Sequence, residues 1–241
     1  MEIRREQFSA DQVESIYAEI DCADLDVRMI DGTEVKIEVE TEEADAECHC
    51  ELVDGKLEIY HKFHHRKKHF HINQKTARIT LEIPRDHVFK EFEMELGAGN
   101  ADLRDAEICC DRMYMEAGAG NVRTGSITVR EEVKLEVGAG NAVFGNVQAR
   151  NARVECGVGQ LVMNGKVDAG VDVECGVGKC ELNLAGKETD YNYDISCGIG
   201  KVSVNGNRIS GMGGGQQQTH AEASGHIKVA CGVGNVMITI A

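Results

Sequence analysis

Along most of the chain apolar and polar residues alternate with a period of two. In Val133-Lys134-Leu135-Glu136-Val137 the apolar positions share one face of an extended strand, the pattern of a half-buried β-strand. The alternation runs on to Ala139, then resumes after Asn141 one step out of phase, at Ala142 and Phe144. Val154, Cys156 and Val158 give way in the same manner to Leu161 and Met163, and Ile195, Cys197 and Ile199 to Val202 and Val204. A phase slip of this kind is expected where a strand turns a corner, and glycine, which reaches φ > 0 without steric cost, is the residue for it. A second short strand follows each corner, at residues 127–129, 147–149 and 167–169.

The slip always falls on one phrase, Gly-(Ala/Val/Ile)-Gly followed by Asn, Gln or Lys. Its glycines are Gly97 and Gly99, Gly118 and Gly120, Gly138 and Gly140, Gly157 and Gly159, Gly176 and Gly178, Gly198 and Gly200, and Gly232 and Gly234. Successive copies are 21, 20, 19, 19, 22 and 34 residues apart. A strand-flanked period near 20 predicts an all-β fold, a right-handed parallel β-solenoid (β-helix-like) with rungs of ~20 residues spaced ~4.8 Å apart. An antiparallel meander is the alternative, and it needs turn signals about every ten residues, which are irregular here.

Residues 1–95 read as degenerate N-terminal rungs, with alternation at residues 16–27, 35–39, 57–60 and 77–84. Residues 96–241 form the regular repeats, and the whole is expected to be one continuous domain. A basic, histidine-rich insertion occupies residues 61–71. A second insertion, residues 206–226, is rich in Gly and Gln and predicts a flexible loop.

The lead-in ARITLEIPRDHVFKEFEMELGAGN and the units VKLEVGAGNAVFG and YDISCGIGKVSVN resemble the bacterial putative-adhesin, β-strand-repeat family of unknown function. The resemblance runs from about residue 13 to the end. It implies the fold and brings no catalytic residues with it.

Composition narrows the function. The formal net charge is −15, which disfavours contact with phosphate backbones. The opening residues lack an apolar signal-peptide core, and no apolar run reaches the ~18 residues of a membrane span. The expectation is therefore a cytoplasmic protein, with cell-surface association left open. Of the 10 cysteines, Cys156, Cys175, Cys197 and Cys231 precede a Gly-x-Gly copy, in the slot held elsewhere by Leu96, Ala117 and Val137. Cysteine exchanging with aliphatic residues behaves as a small hydrophobe, so free, stacked core thiols are expected, with disulfides between adjacent rungs as the alternative.

A dinucleotide site needs a third glycine and a following helix; Asp102 stands where that glycine belongs, and a strand pattern follows. No cofactor is expected. The outward residues Glu95, Glu116, Glu136, Glu155 and Glu174 would form a column of carboxylates, a candidate ladder for cations or a basic partner. Lys134 and Arg153, in the neighbouring column of Glu93, Tyr114, Lys134, Arg153, Asp172, Asp194 and Lys228, can offset its middle. Cys48, His49, Cys50, His61, His64 and His65 carry the ligand chemistry of a zinc or copper site, although their spacing matches no structural zinc motif and Arg66, Lys67 and Lys68 oppose a cation. Asn100, Asn121, Asn141 and Asn235, with Gln160, Lys179 and Lys201, mark the corner as turn-capping residues.

The last residues, 229–241, would leave an open rung. Either it docks on another copy or a partner, or a folded-back segment such as residues 206–226 covers it. Taken together, the residues suggest a non-enzymatic structural or interaction scaffold, with protein partners or self-association and no nucleic acid or membrane insertion. A cation- or glycan-binding module is the alternative, and a glycan-cleaving enzyme using two ladder carboxylates a weaker one.

Overall fold

The alternation is realised as strands, with two short 3-10 turns and no α-helix among the described residues. The computed structural model describes residues 2–41, 46–63, 77–210 and 214–241. The early strands are β1 (Glu2–Ser9), β2 (Ser15–Ile30), β3 (Glu34–Thr41), β4 (Ala46–Val53), β5 (Lys56–Phe63) and β6 (Ala77–Pro84). Four long strands follow, β7 (Val88–Ala117), β8 (Asn121–Val137), β9 (Asn141–Cys156) and β10 (Gln160–Cys175). The rest are β11 (Lys179–Leu184), β12 (Tyr191–Cys197), β13 (Lys201–Val204), β14 (Asn207–Ser210), β15 (Gly214–Gln218), β16 (Gly225–Cys231) and β17 (Asn235–Ile240).

The long strands stack parallel and in register. Asn100 lies opposite Asn121, Asn121 opposite Asn141, Asn141 opposite Gln160 and Gln160 opposite Lys179. Register shifts after Leu103 and Cys110 mark two bends within β7, and the Gly-x-Gly phrase is a third. Like residues therefore pile up inside. Met115, Leu135, Val154, Val173, Val229 and Ile195 form one column, each at most 1% exposed. Burying such a side chain is worth roughly 1.5–3 kcal/mol, so the repeated inner face is what holds the stack.

The corner glycines are required by closeness more than by dihedral angle. Of the fourteen, only Gly99 has a positive φ, +115°. A Cβ on Gly140 would lie 2.0 Å from the carbonyl oxygen of Gly120, and one on Gly159 2.0 Å from that of Gly140. The expectation of left-handed corners is thus corrected: neighbouring rungs approach backbone to backbone, and only glycine leaves the room.

Both ends of the stack depart from sequence order. β2 pairs parallel with β7 on one side and with β5 and β6 on the other, so it lies between two rungs that follow it in the chain. β1, β3 and β4 are antiparallel additions: β3 on β6, β1 on β3 and β4 on β5. Residues 1–95 are therefore not a simple run of rungs. The edge strand β1 carries Glu2, Arg4, Arg5 and Glu6, charges that blunt an edge against further pairing.

At the other end β16 pairs parallel with β10 and with β12, while β17 pairs with β11 and with β13. The backbone bonds agree. The Gly232 N–H donates to the Cys175 carbonyl and the Gly198 N–H to the Cys231 carbonyl, both at 2.8 Å. Residues 225–241 are thus an interior rung, wedged between two that precede them, and the expected open rung is corrected. Charge suits this order. The outward column reads Arg153, Asp172, Lys228, Asp194, placing Lys228 between two aspartates. The outermost rung, β12 and β13, is covered by β15 and β14 folded back antiparallel. Part of the predicted flexible segment 206–226 is therefore strand, and residues 211–213 lie outside the described residues.

All 10 cysteines are free thiols. Cys156, Cys175, Cys231 and Cys197 stack in that order. The Cys156 thiol donates to the Gly159 carbonyl at 3.3 Å, Cys175 to Gly178 at 3.3 Å and Cys231 to Gly234 at 3.2 Å, tying each corner across its own turn.

Candidate functional site

The alternation that buries the core places every other residue outside, and parallel register turns those residues into columns. Glu116, Glu136, Glu155 and Glu174 lie in successive register. Glu95 adjoins Glu116 through the bond from the Gly118 N–H to the Leu96 carbonyl, 2.8 Å. The column has a sixth member that sequence reading missed, Glu19, opposite Glu95. Its rung lacks the Gly-x-Gly phrase, so only the alternation Ile16, Ala18, Ile20 signalled it.

Each carboxylate of this ladder has a partner. Lys62 meets Glu19 at 3.3 Å. The Tyr17 hydroxyl reaches Glu95 at 3.4 Å, and that of Tyr114 donates to Glu116 at 2.7 Å. Lys134 pairs with Glu136, while Arg153 meets Glu155 at 2.8 Å and Glu174 at 3.4 Å. Lys134 also lies 5.0 Å from the Tyr114 ring centroid and Lys56 4.7 Å from that of Tyr17. Burial, with the nearby Glu116 charge, raises the Glu95 carboxyl above its ordinary range, and the Tyr17 hydroxyl opposes this. The ladder is thus largely compensated by its own neighbours.

On the other side of the corner the amides make a second ladder. Asn100 donates to Asp24 at 2.8 Å, Asn121 to Asn100 at 3.0 Å and Asn141 to Asn121 at 3.2 Å. These side chains brace one rung against the next.

The cysteine and histidine candidates separate. Cys48 and Cys50 face inward, partly buried against the core, and the Cys50 thiol holds that of Cys48 below its ordinary range. His49 points away, 3.2 Å from Glu51. His61 is fully buried opposite Cys48, with both ring nitrogens unpartnered, and burial lowers its pKa. It therefore belongs to β5 and the core, and not to the basic insertion expected at residues 61–71. His64 and His65 lie outside the described residues. Among the described residues no group of three or more His, Cys, Asp or Glu is gathered so as to hold a metal ion.

The middle residue of each of the last four corner phrases points outward. Val158, Val177, Val233 and Ile199 are 68%, 60%, 56% and 74% exposed, which corrects the reading of Val158 and Ile199 as inward. They are stacked neighbours: the Val177 N–H donates to the Gly157 carbonyl, that of Val233 to Gly176 and that of Ile199 to Gly232. Glu155 and Glu174 flank this ridge on one side and Gln160 and Lys179 on the other.

Three of the surface hollows among the described residues lie away from the glutamate ladder. One of about 350 Å³ is lined by Arg5, Arg28, Lys36, Glu38 and Glu82. One of about 700 Å³ lies at Asp31, Arg85 and His87, and one of about 410 Å³ at Cys197, Gly214 and Cys231. No helix among the described residues is long and apolar enough to cross a membrane.

Solved structures with a similar fold cover nearly the whole chain at low identity. A putative adhesin from Bacteroides fragilis is 14% identical, with 98% of this chain and 97% of that one covered and a TM-score of 0.50. A putative cell adhesion protein from Clostridium sporogenes is 15% identical, with 100% and 99% covered and a TM-score of 0.43. A putative lipid binding protein from Parabacteroides distasonis is 17% identical, with 99% and 96% covered and a TM-score of 0.44. At these identities the likeness concerns the fold alone. No curated protein matches the chain. The profile of the Toastrack DUF4097 family matches residues 17–207, and the chain belongs to that family.

Proposed function

We propose that this protein is a non-enzymatic structural or interaction scaffold, a right-handed parallel β-solenoid that meets its partners with its outer columns. The observation that carries this reading is the six-rung glutamate column from Glu19 to Glu174, one chemical group repeated along a line. Repetition at strand spacing suits an extended surface better than a single small substrate. The carboxylates are held in line by Lys62, Lys134, Arg153, Tyr17 and Tyr114, which keeps the column a fixed, repeated surface and supports a partner-facing role. An adhesin-like role, the one named for the Bacteroides fragilis protein, accords with it.

Display of the full chain on a non-adherent bacterium tests the reading. Attachment to a protein-coated surface should rise over that of cells carrying an empty display vector. No rise, or turnover of a chromogenic glycoside that disappears in Glu136→Gln, would overturn it.

A further inference from the structure

We propose that the corner ridge of Val158, Val177, Val233 and Ile199 is a self-association surface, and that a second copy of this chain docks on it about a two-fold axis parallel to the ridge. The inference rests on the scaffold reading and names the partner of one outer face.

The ridge is anomalous for its surroundings. Four branched aliphatic side chains, each more than half exposed, stand in consecutive rungs of a chain with net charge −15. Contiguous apolar surface of this kind marks an interaction site, whereas scattered exposed aliphatics do not. At ~4.8 Å per rung the four span about 14 Å, and their flanking columns widen the strip. Extended over the alanine rungs at Ala98, Ala119 and Ala139, the strip is ~30 Å long, and its flanks stand five residues apart, at most ~17 Å. The ~500 Å² per partner this gives is the size of a weak, concentration-dependent interface.

The flanks select the occupant and the geometry. One side of the ridge carries Glu155 and Glu174; the other carries Gln160 and Lys179 in the same rungs. A two-fold axis along the ridge lays the acidic flank of one copy over the amide and ammonium flank of the other. Glu174 then faces Lys179 of the second copy, Glu155 faces its Gln160, and each aliphatic residue meets its own equivalent. A two-fold axis across the centre of the ridge would instead lay Glu174 over Ala230 and Glu155 over Ser196, leaving both carboxylates without an ammonium or amide partner. Glu174 is 61% exposed and its contact with Arg153 is 3.4 Å, so its charge is available; Lys179 lies 3.1 Å from Glu181 and is 40% exposed. A foreign partner would need aliphatic groups at rung spacing, which a second copy has by identity.

Sedimentation equilibrium of the full chain at high-micromolar concentration tests this. The expected mass is twice the 26.3 kDa of one chain. Val177→Lys, which sets like charges across the axis, should weaken the dimer at least tenfold. Its melting temperature should equal that of the wild type at concentrations low enough for both to be monomeric, because the side chain lies outside the core. Glu174→Lys and Lys179→Glu should each weaken it, and the double variant should restore it. A wild-type chain that stays monomeric, a dimer indifferent to Val177→Lys, or a double variant no tighter than the singles would overturn the proposal. So would a monomer that floats with phosphatidylcholine vesicles, which would assign the ridge to lipid. Displayed Val177→Lys cells that still attach would show that the scaffold reading does not depend on the dimer.

Discussion

Gly178 sits directly over the thiol of Cys156 in the neighbouring rung: a Cβ on the glycine would come within 2.7 Å of the Cys156 Sγ and 2.4 Å of the Gly159 carbonyl oxygen. One contact is with a side chain and the other with backbone, so relaxation around the thiol alone cannot make room. Gly178→Ala should destabilise the protein by about 1–3 kcal/mol. Gly215→Ala, whose added carbon would meet only the Ile195 carbonyl at 3.4 Å, should leave stability nearly unchanged. Thermal unfolding followed by circular dichroism compares the two, and equal losses would refute the close-approach account.

Cys175, Cys180 and Cys231 should be chemically silent in the folded chain. Burial pushes the Cys231 thiol up to about 12 and raises Cys180 as well, so neither forms much thiolate at neutral pH. Alkylation with iodoacetamide, mapped by mass spectrometry, should mark the exposed Cys22 within minutes and spare the buried Cys175, Cys180 and Cys231 until denaturant is added. Rapid native labelling of these three thiols would contradict their burial.

His61 is expected to cost stability. Its imidazole is buried without a hydrogen bond, and an unsatisfied buried polar group costs about 1–3 kcal/mol. His61→Leu should therefore unfold at a higher temperature than the wild type at pH 7. Because burial depresses the folded-state pKa, acid protonates the unfolded chain first. The wild type should lose stability as pH falls below the unfolded value near 6.5, and the gap between the two proteins should widen there. A gap independent of pH would show that His61 is already charged or solvated.

Glu95 should respond in the opposite direction. Its pKa is raised in the folded state, chiefly by burial and then by Glu116, so the folded chain holds its proton longer than the unfolded one. The resulting penalty is absent at low pH and appears as pH rises through the carboxylate range. Glu95→Gln should be slightly more stable than the wild type at pH 7 and indistinguishable from it near pH 3, as read from urea unfolding midpoints. A variant less stable at pH 7 would mean that the Tyr17 contact outweighs burial.

The columns were legible because the strand period is two and the rung period nearly constant. Knowing those two numbers, the row Glu95 to Glu174 and the slot shared by Leu96, Ala117, Val137 and Cys156 follow without coordinates. Rung order was not legible. Cys231 and Cys197 follow equivalent patterns, so alternation alone cannot say which lies beside Cys175; the clue was Lys228, whose charge fits between Asp172 and Asp194. The outward turn of Val158 and Ile199 was hidden for a different reason. Apolar alternation assigns a face only while the chain stays extended, and the corner breaks that condition at the middle residue. Glu19 and His61 escaped because their rungs lack the glycine phrase that supplies the register.

The wedged rung also sets a problem for folding. A stack that grew strictly in chain order would lay residues 191–204 on the rung ending at Cys175, filling the seat that residues 225–241 take in the final structure. The glycine corners and the cysteine slot would fit equally well in that arrangement. The outward charges would not, since Asp194 would then stand beside Asp172. A few like charges on an outer face can therefore act as a proofreading step, making the premature arrangement leave before the last segment arrives.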